Sequence, residues 1–118
     1  MLRDILVIDD DPAILMTVAD ILTDEGYLVR TATNGVDGLA AVEQQHPALI
    51  LLDMRMPGLD GWGVARALHE RGVVVPLVVM TAAHDARRWG EEIGTPYVLA
   101  KPFELLELLT TVEQIVAP

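Results

Sequence analysis

The chain has 118 residues, 52% of them hydrophobic and 22% charged, which suits one folded domain rather than a disordered segment. Its net charge of -10 argues against direct contact with a nucleic-acid backbone, whose phosphates call for clustered lysine and arginine. There is no cysteine, which excludes disulfides, thiolate catalysis and cysteine-held metals, and no apolar run reaches the roughly 18 residues of a membrane span.

The first apolar run, residues 5–8, is short and continuous, as in a strand buried on both faces. Asp4 and the aspartates at 9–11 interrupt it on either side, so a signal peptide is not expected and the chain reads as cytoplasmic. Pro12 favours a first helical position, which makes Asp11 the natural N-cap of a helix carrying Ile14, Val18, Ile21 and Leu22 on one stripe and closing near Gly26. A mixed strand at 27–31 follows, then a helix with Val36, Leu39, Ala40 and Val42 on its apolar stripe. Residues 48–52 repeat the buried-strand pattern, and Trp62, Ala65 and Leu68 begin a third helix that ends before Gly72. Residues 77–80 make a fourth strand. Ala86, Trp89 and Ile93 give a weak fourth helix, with Gly90 inside it costing about 1 kcal/mol relative to alanine. A short strand at 97–100 precedes a strong fifth stripe of Leu105, Leu108, Leu109, Val112 and Ile115, with Leu106 off it.

Strand and helix thus alternate five times, which predicts an α/β fold with a mostly parallel sheet and helices on both faces. Ligands of such sheets lie outside the carboxyl ends of the strands, where strand order reverses. At those ends stand Asp9 and Asp10, Asp53, Thr81, and Lys101, the only lysine in the chain. Two carboxylates about 4 Å apart repel by roughly 4 kcal/mol at an effective dielectric near 20, so the aspartates need a counter-charge. Carboxylates suit Mg²⁺, or Mn²⁺ in its place, and an aspartate can act as a nucleophile and become an acyl phosphate. Without metal the carboxylates should titrate together, with at least one pKa raised.

The segments VIDDDP (7–12), LLDMRMPGLDG (51–61), VVMTA (78–82) and AKPF (100–103), in this order, resemble the receiver domain of two-component response regulators of the chemotaxis-regulator kind. The resemblance implies a doubly wound, flavodoxin-like three-layer sandwich with strand order 2-1-3-4-5, and a single receiver domain over 1–118 with no output domain visible. It implies that Asp53 accepts a phosphoryl group from the phosphohistidine of a sensor histidine kinase or phosphotransfer protein. Asp9, Asp10, Asp53 and the backbone carbonyl of Arg55 would hold the metal. Thr81 would donate its hydroxyl to the phosphoryl group, and Lys101 would pair first with Asp53 and then with that group. The bond from Lys101 to Pro102 would be cis. Arg55 and Ala83 would tune the phosphoryl lifetime. Such a domain is not an enzyme for a separate substrate. It catalyses only its own phosphorylation and dephosphorylation, and acts on an output partner that the sequence does not name. No membrane partner is implied.

Two features depart from the family pattern. Val98 stands where an aromatic switch residue is usual, and Tyr97, one residue earlier, should face the other way. The stretch from Thr81 to Lys101 is about two residues short, which predicts a short fourth helix. Signalling is therefore expected to rely on rearrangement of residues 82–95. Trp62 and Trp89 read as packing residues, with a partner surface around Trp89, Arg87 and Arg88 as the lesser reading. His46, His69 and His84 lack metal-ligand spacing and read as surface residues. A homodimer through 84–116 is a further expectation. Two other functions compete: a receiver-like scaffold that works without phosphorylation, and a phosphatase of the haloacid-dehalogenase type. The second would want an aspartate where Arg55 stands.

Overall fold

Residues 5–8 and 49–53 are buried throughout, as strands covered on both faces must be. The computed structural model describes residues 3–116, apart from the side chain of Ala83. In chain order the elements are β1 (Asp4–Ile8), α1 (Pro12–Asp24), β2 (Leu28–Ala32), α2 (Gly35–Gln44), β3 (Leu49–Asp53), α3 (Gly61–Glu70), β4 (Leu77–Ala82), α4 (Ala83–Ile93), β5 (Val98–Lys101) and α5 (Leu105–Val116). The five strands form one parallel sheet in the order β2-β1-β3-β4-β5. This is the expected doubly wound sandwich, and its strand order reverses between β1 and β3.

Alternation along the strands sorts the core into two layers. Ile5, Val7, Leu49, Leu51, Val78 and Met80 pack against α1 and α5. Leu6, Ile8, Ile50, Leu52 and Val79 pack against α2, α3 and α4. Tyr97 belongs to the first layer and Val98 to the second, so the two do face opposite ways. Asp11 caps α1 by accepting from the Ala13 amide at 2.9 Å, and Gly26 follows the helix at φ 96°, a left-handed conformation that glycine adopts without strain. Asn34 and Asp60 cap α2 and α3 in the same manner, accepting from Asp37 N–H at 2.8 Å and Gly63 N–H at 2.9 Å.

Several helix faces differ from the apolar stripes. In α2, Val36 and Ala40 are exposed, and the buried face is Gly35, Gly38, Leu39 and Val42. A Cβ on Gly38 would come 2.5 Å from Ile8 Cδ1, so α2 lies too close to β1 for a larger residue to fit without movement. In α3 the buried residues are Gly61, Val64 and Leu68, with Trp62 and Ala65 only partly covered. In α5, Leu105 joins Leu106 in solvent while Leu108, Val112 and Val116 go inward. The fourth helix is not short: it has 11 residues and begins directly after β4. The economy of length falls on the β4–α4 connection. Gly90 lets this helix approach β5, because a Cβ there would meet Val98 Cγ1 at 2.6 Å and the Thr95 carbonyl at 3.0 Å.

Candidate functional site

Asp9 follows the last residue of β1, Asp53 ends β3, Thr81 is the penultimate residue of β4 and Lys101 ends β5. Parallel pairing sets Asp53 opposite Met80, next to Thr81, and sets Ala82 opposite Lys101. Register alone therefore gathers these side chains on the carboxyl edge of the sheet, at the point where strand order reverses. Oxygens of Asp9, Asp10 and Asp53 all lie within 4.8 Å of one another. Asp9, Asp53 and Thr81 are buried, whereas Asp10 is exposed.

Asp9 is the structural anchor of the group. One of its oxygens accepts from the Asp11 amide at 2.9 Å, and the other accepts from Lys101 Nζ at 2.8 Å. Asp53 Oδ1 lies 3.4 Å from Lys101 Nζ and accepts from the Arg55 amide, also at 3.4 Å. The expected first partner of Lys101 was Asp53, but the shorter contact is to Asp9. Burial, and then the charge of Asp9, push the Asp53 carboxyl up to about 7, against the opposing pull of Lys101. A carboxyl pushed toward its neutral form holds an ammonium less tightly. Lys101 is itself raised: burial works against its charge, but the bond from Asp9 and the charges of Asp53 and Asp9 outweigh it. The expected raised carboxyl is thus Asp53.

When all three carboxylates ionise, one ammonium leaves two negative charges unbalanced. Oxygen-only ligands, an excess of negative charge and one exposed member open to solvent fit a hard divalent cation. The backbone bond from Lys101 to Pro102 is cis. Gly61 closes the site from beneath: a Cβ there would meet Met54 Cα at 2.7 Å and the Asp53 carbonyl at 2.9 Å. That constraint on the loop after Asp53 was not legible as an apolar pattern.

The side chain of Arg55 lies over an indole. Its guanidinium carbon lies 5.0 Å from the centre of the Trp89 ring. Trp89 is buried and packs edge-on to Trp62, with centroids 4.8 Å apart. The packing reading of Trp89 is the one the structure supports. Ala83 opens α4, and its side chain lies outside the described residues. Val98 is half-buried among apolar neighbours. His46, His69 and His84 are all exposed. Among the described residues, no helix is long and apolar enough to cross a membrane.

A family profile described as "Response regulator receiver domain" matches residues 5–113. The chain is 40% identical over 106 residues to "Probable transcriptional regulator ycf27" of Pyropia yezoensis, covering 88% of this chain and 43% of that protein. It is 38% identical over 110 residues to "Response regulator MprA" of Mycobacterium leprae, covering 92% of this chain and 48% of that protein. The chain therefore spans less than half the length of these relatives. Among solved structures, the chemotaxis protein CheY4 of Vibrio cholerae superposes with a TM-score of 0.87 at 26% identity, covering 98% of this chain and all of that one.

Proposed function

This chain belongs to the response regulator receiver domain family, and from that premise we propose that it is switched by phosphorylation of Asp53. The observation that carries the proposal is the convergence of one carboxylate, Asp53, with an acidic pair and with the only lysine of the chain, which contacts both Asp9 and Asp53. A carboxylate oxygen of Asp53 attacks the phosphorus of a phosphohistidine on a sensor kinase or phosphotransfer protein. The P–O bond forms as the P–N bond breaks, and the imidazole leaves with the electron pair and takes up a proton from solvent. Lys101 is near enough to follow the charge from the carboxylate to the phosphoryl oxygens, and Thr81 is the hydroxyl one strand away that can donate to them. Mg²⁺ or Mn²⁺ held by Asp9, Asp10, Asp53 and the Arg55 carbonyl would supply charge that keeps Asp53 ionised and offsets charge on the phosphoryl group.

Donor access is favoured by an apolar groove of about 500 Å³ beside Lys101, lined by Ala13, Ile14, Val18, Pro102 and Phe103, which suits the flank of a helix bearing the phosphohistidine. Leu105 and Leu106 are exposed apolar side chains within 84–116, the region expected to form a homodimer. Intact mass after incubation with acetyl phosphate and Mg²⁺ tests the reading. Wild type should gain one phosphoryl group and Asp53→Asn none. No gain in wild type, from acetyl phosphate or from a kinase, would favour the phosphorylation-independent scaffold.

A further inference from the structure

The two tryptophans of the chain form one connected cluster with the loop that follows Asp53. The Arg55 guanidinium rests on the face of Trp89, Trp89 packs edge-on to Trp62, and Trp62 Nε1 donates to Glu92 at 3.2 Å. Trp89 and Glu92 lie on α4 and Trp62 on α3, while the Arg55 amide donates to Asp53 itself. A continuous set of contacts therefore runs from the phosphoacceptor position to α4. Lys101 also joins Asp53 to the end of β5, but no aromatic switch stands on that strand: Val98 offers no polar group, and Tyr97 faces the other layer.

Among the described residues the Arg55 guanidinium makes no ion pair, so the ring is its one specific partner. Trp89 is buried but Arg55 is exposed, and a guanidinium still open to water is held only modestly by a ring. Phosphorylation two residues away trades the single charge of the Asp53 carboxylate for nearly two on a phosphoryl group with three acceptor oxygens, which a guanidinium can grip in a planar, charge-assisted pair. Removing the arm would uncover a buried indole face on α4, which must then repack or take up water.

We propose that Arg55 is a two-position arm, resting on Trp89 while Asp53 is unmodified and moving to the phosphoryl oxygens once it is modified, so that α4 carries the signal outward. The proposal rests on phosphorylation of Asp53. It replaces an aromatic relay in β5 with a cation released from an indole on α4.

The test uses Trp62→Phe, which leaves Trp89 as the sole indole, alone and combined with Arg55→Ala. Each protein is incubated with acetyl phosphate and Mg²⁺, the phosphorylated fraction is read by intact mass, and acrylamide quenching of Trp89 is measured alongside. In Trp62→Phe, quenching should rise several-fold in proportion to the phosphorylated fraction. With Arg55→Ala added, quenching should already be high before phosphate is gained and should not respond to it. Phosphate gain with unchanged quenching in Trp62→Phe would overturn the arm and leave the receiver reading intact. An equal rise in both proteins would also overturn it, since α4 would then move without Arg55. No phosphate gain in any variant or in wild type would count against phosphorylation of Asp53 and favour the scaffold, and the arm would fall with it.

Discussion

Replacing Asp53 by asparagine should stabilise the metal-free protein, by an amount that grows with pH. Burial and the nearby Asp9 raise the Asp53 carboxyl from 3.8 to about 7 in the folded chain. Below pH 4 the carboxyl is protonated in both folded and unfolded chains and contributes no difference. Between about 4 and 7 the unfolded chain ionises while the folded one holds its proton, so wild type loses stability as pH rises through that window. Above 7 the loss is complete and amounts to roughly 4 kcal/mol as an upper figure. The Asp53→Asn chain has no such carboxyl. Urea unfolding in EDTA should therefore give nearly equal stabilities near pH 4, and an advantage to Asp53→Asn of about 2–4 kcal/mol at pH 8.5. Taking the difference between the two proteins cancels the titrating groups that lie away from Asp53. Mg²⁺ at pH 8.5 should stabilise wild type and narrow the gap, because a ligand of the folded state alone adds to stability. Parallel pH curves for the two proteins would refute the reasoning, since Asp53 would then not be held above its ordinary range by its neighbours.

Lys101→Ala leaves the fully buried Asp9 without its cation and should lower stability by roughly 3 kcal/mol at pH 8, while adding Asp9→Asn should recover most of that loss in urea unfolding. Arg30 donates to both Asp4 oxygens, at 3.2 and 2.9 Å, and to the Ala41 and Gln45 carbonyls, each at 2.7 Å, so it ties β1 and β2 to the end of α2. Arg30→Ala should cost about 2–3 kcal/mol without altering the fraction of Asp53 that gains phosphate from acetyl phosphate. Gly61→Ala sets a methyl against the backbone of Met54 and Asp53 and should cost about 1–3 kcal/mol in thermal or urea unfolding. Because that methyl displaces the end of β3 and the loop after Asp53, Mg²⁺ should also stabilise the variant less than it stabilises wild type.

The sheet was legible because its central strands are buried on both faces. Residues 5–8, 48–52 and 77–80 are unbroken apolar runs, and each stops where chemistry begins. The site followed from those stops: Asp9, Asp53 and Lys101 each lie at or just beyond a strand's last residue, so locating the strands located them. The helix faces were less legible, because hydrophobicity marks what gains from burial and misses what must be small. Val36 reads as core and is 65% exposed, while Gly35, Gly38 and Gly61 read as nothing and are buried where elements approach most closely. Asp11 was read as a cap because Pro12 follows it, whereas Asn34 and Asp60 cap their helices without that proline and were not picked out. The preference of Lys101 for Asp9 could not be read from spacing, since it depends on differences of less than 1 Å between two carboxylates. The contact of Arg55 with Trp89 joins residues 34 positions apart and carries no local pattern.

The most direct measurement is to locate the phosphoryl group. After incubation with acetyl phosphate and Mg²⁺, borohydride reduces an aspartyl phosphate to homoserine, and tandem mass spectrometry of a digest identifies the altered position. Conversion confined to Asp53, and abolished by Lys101→Ala or by EDTA, is the expected result. Conversion at Asp9 or Asp10 instead, or none at any aspartate of a protein that has gained phosphate, would contradict the assignment of Asp53 as the phosphoacceptor.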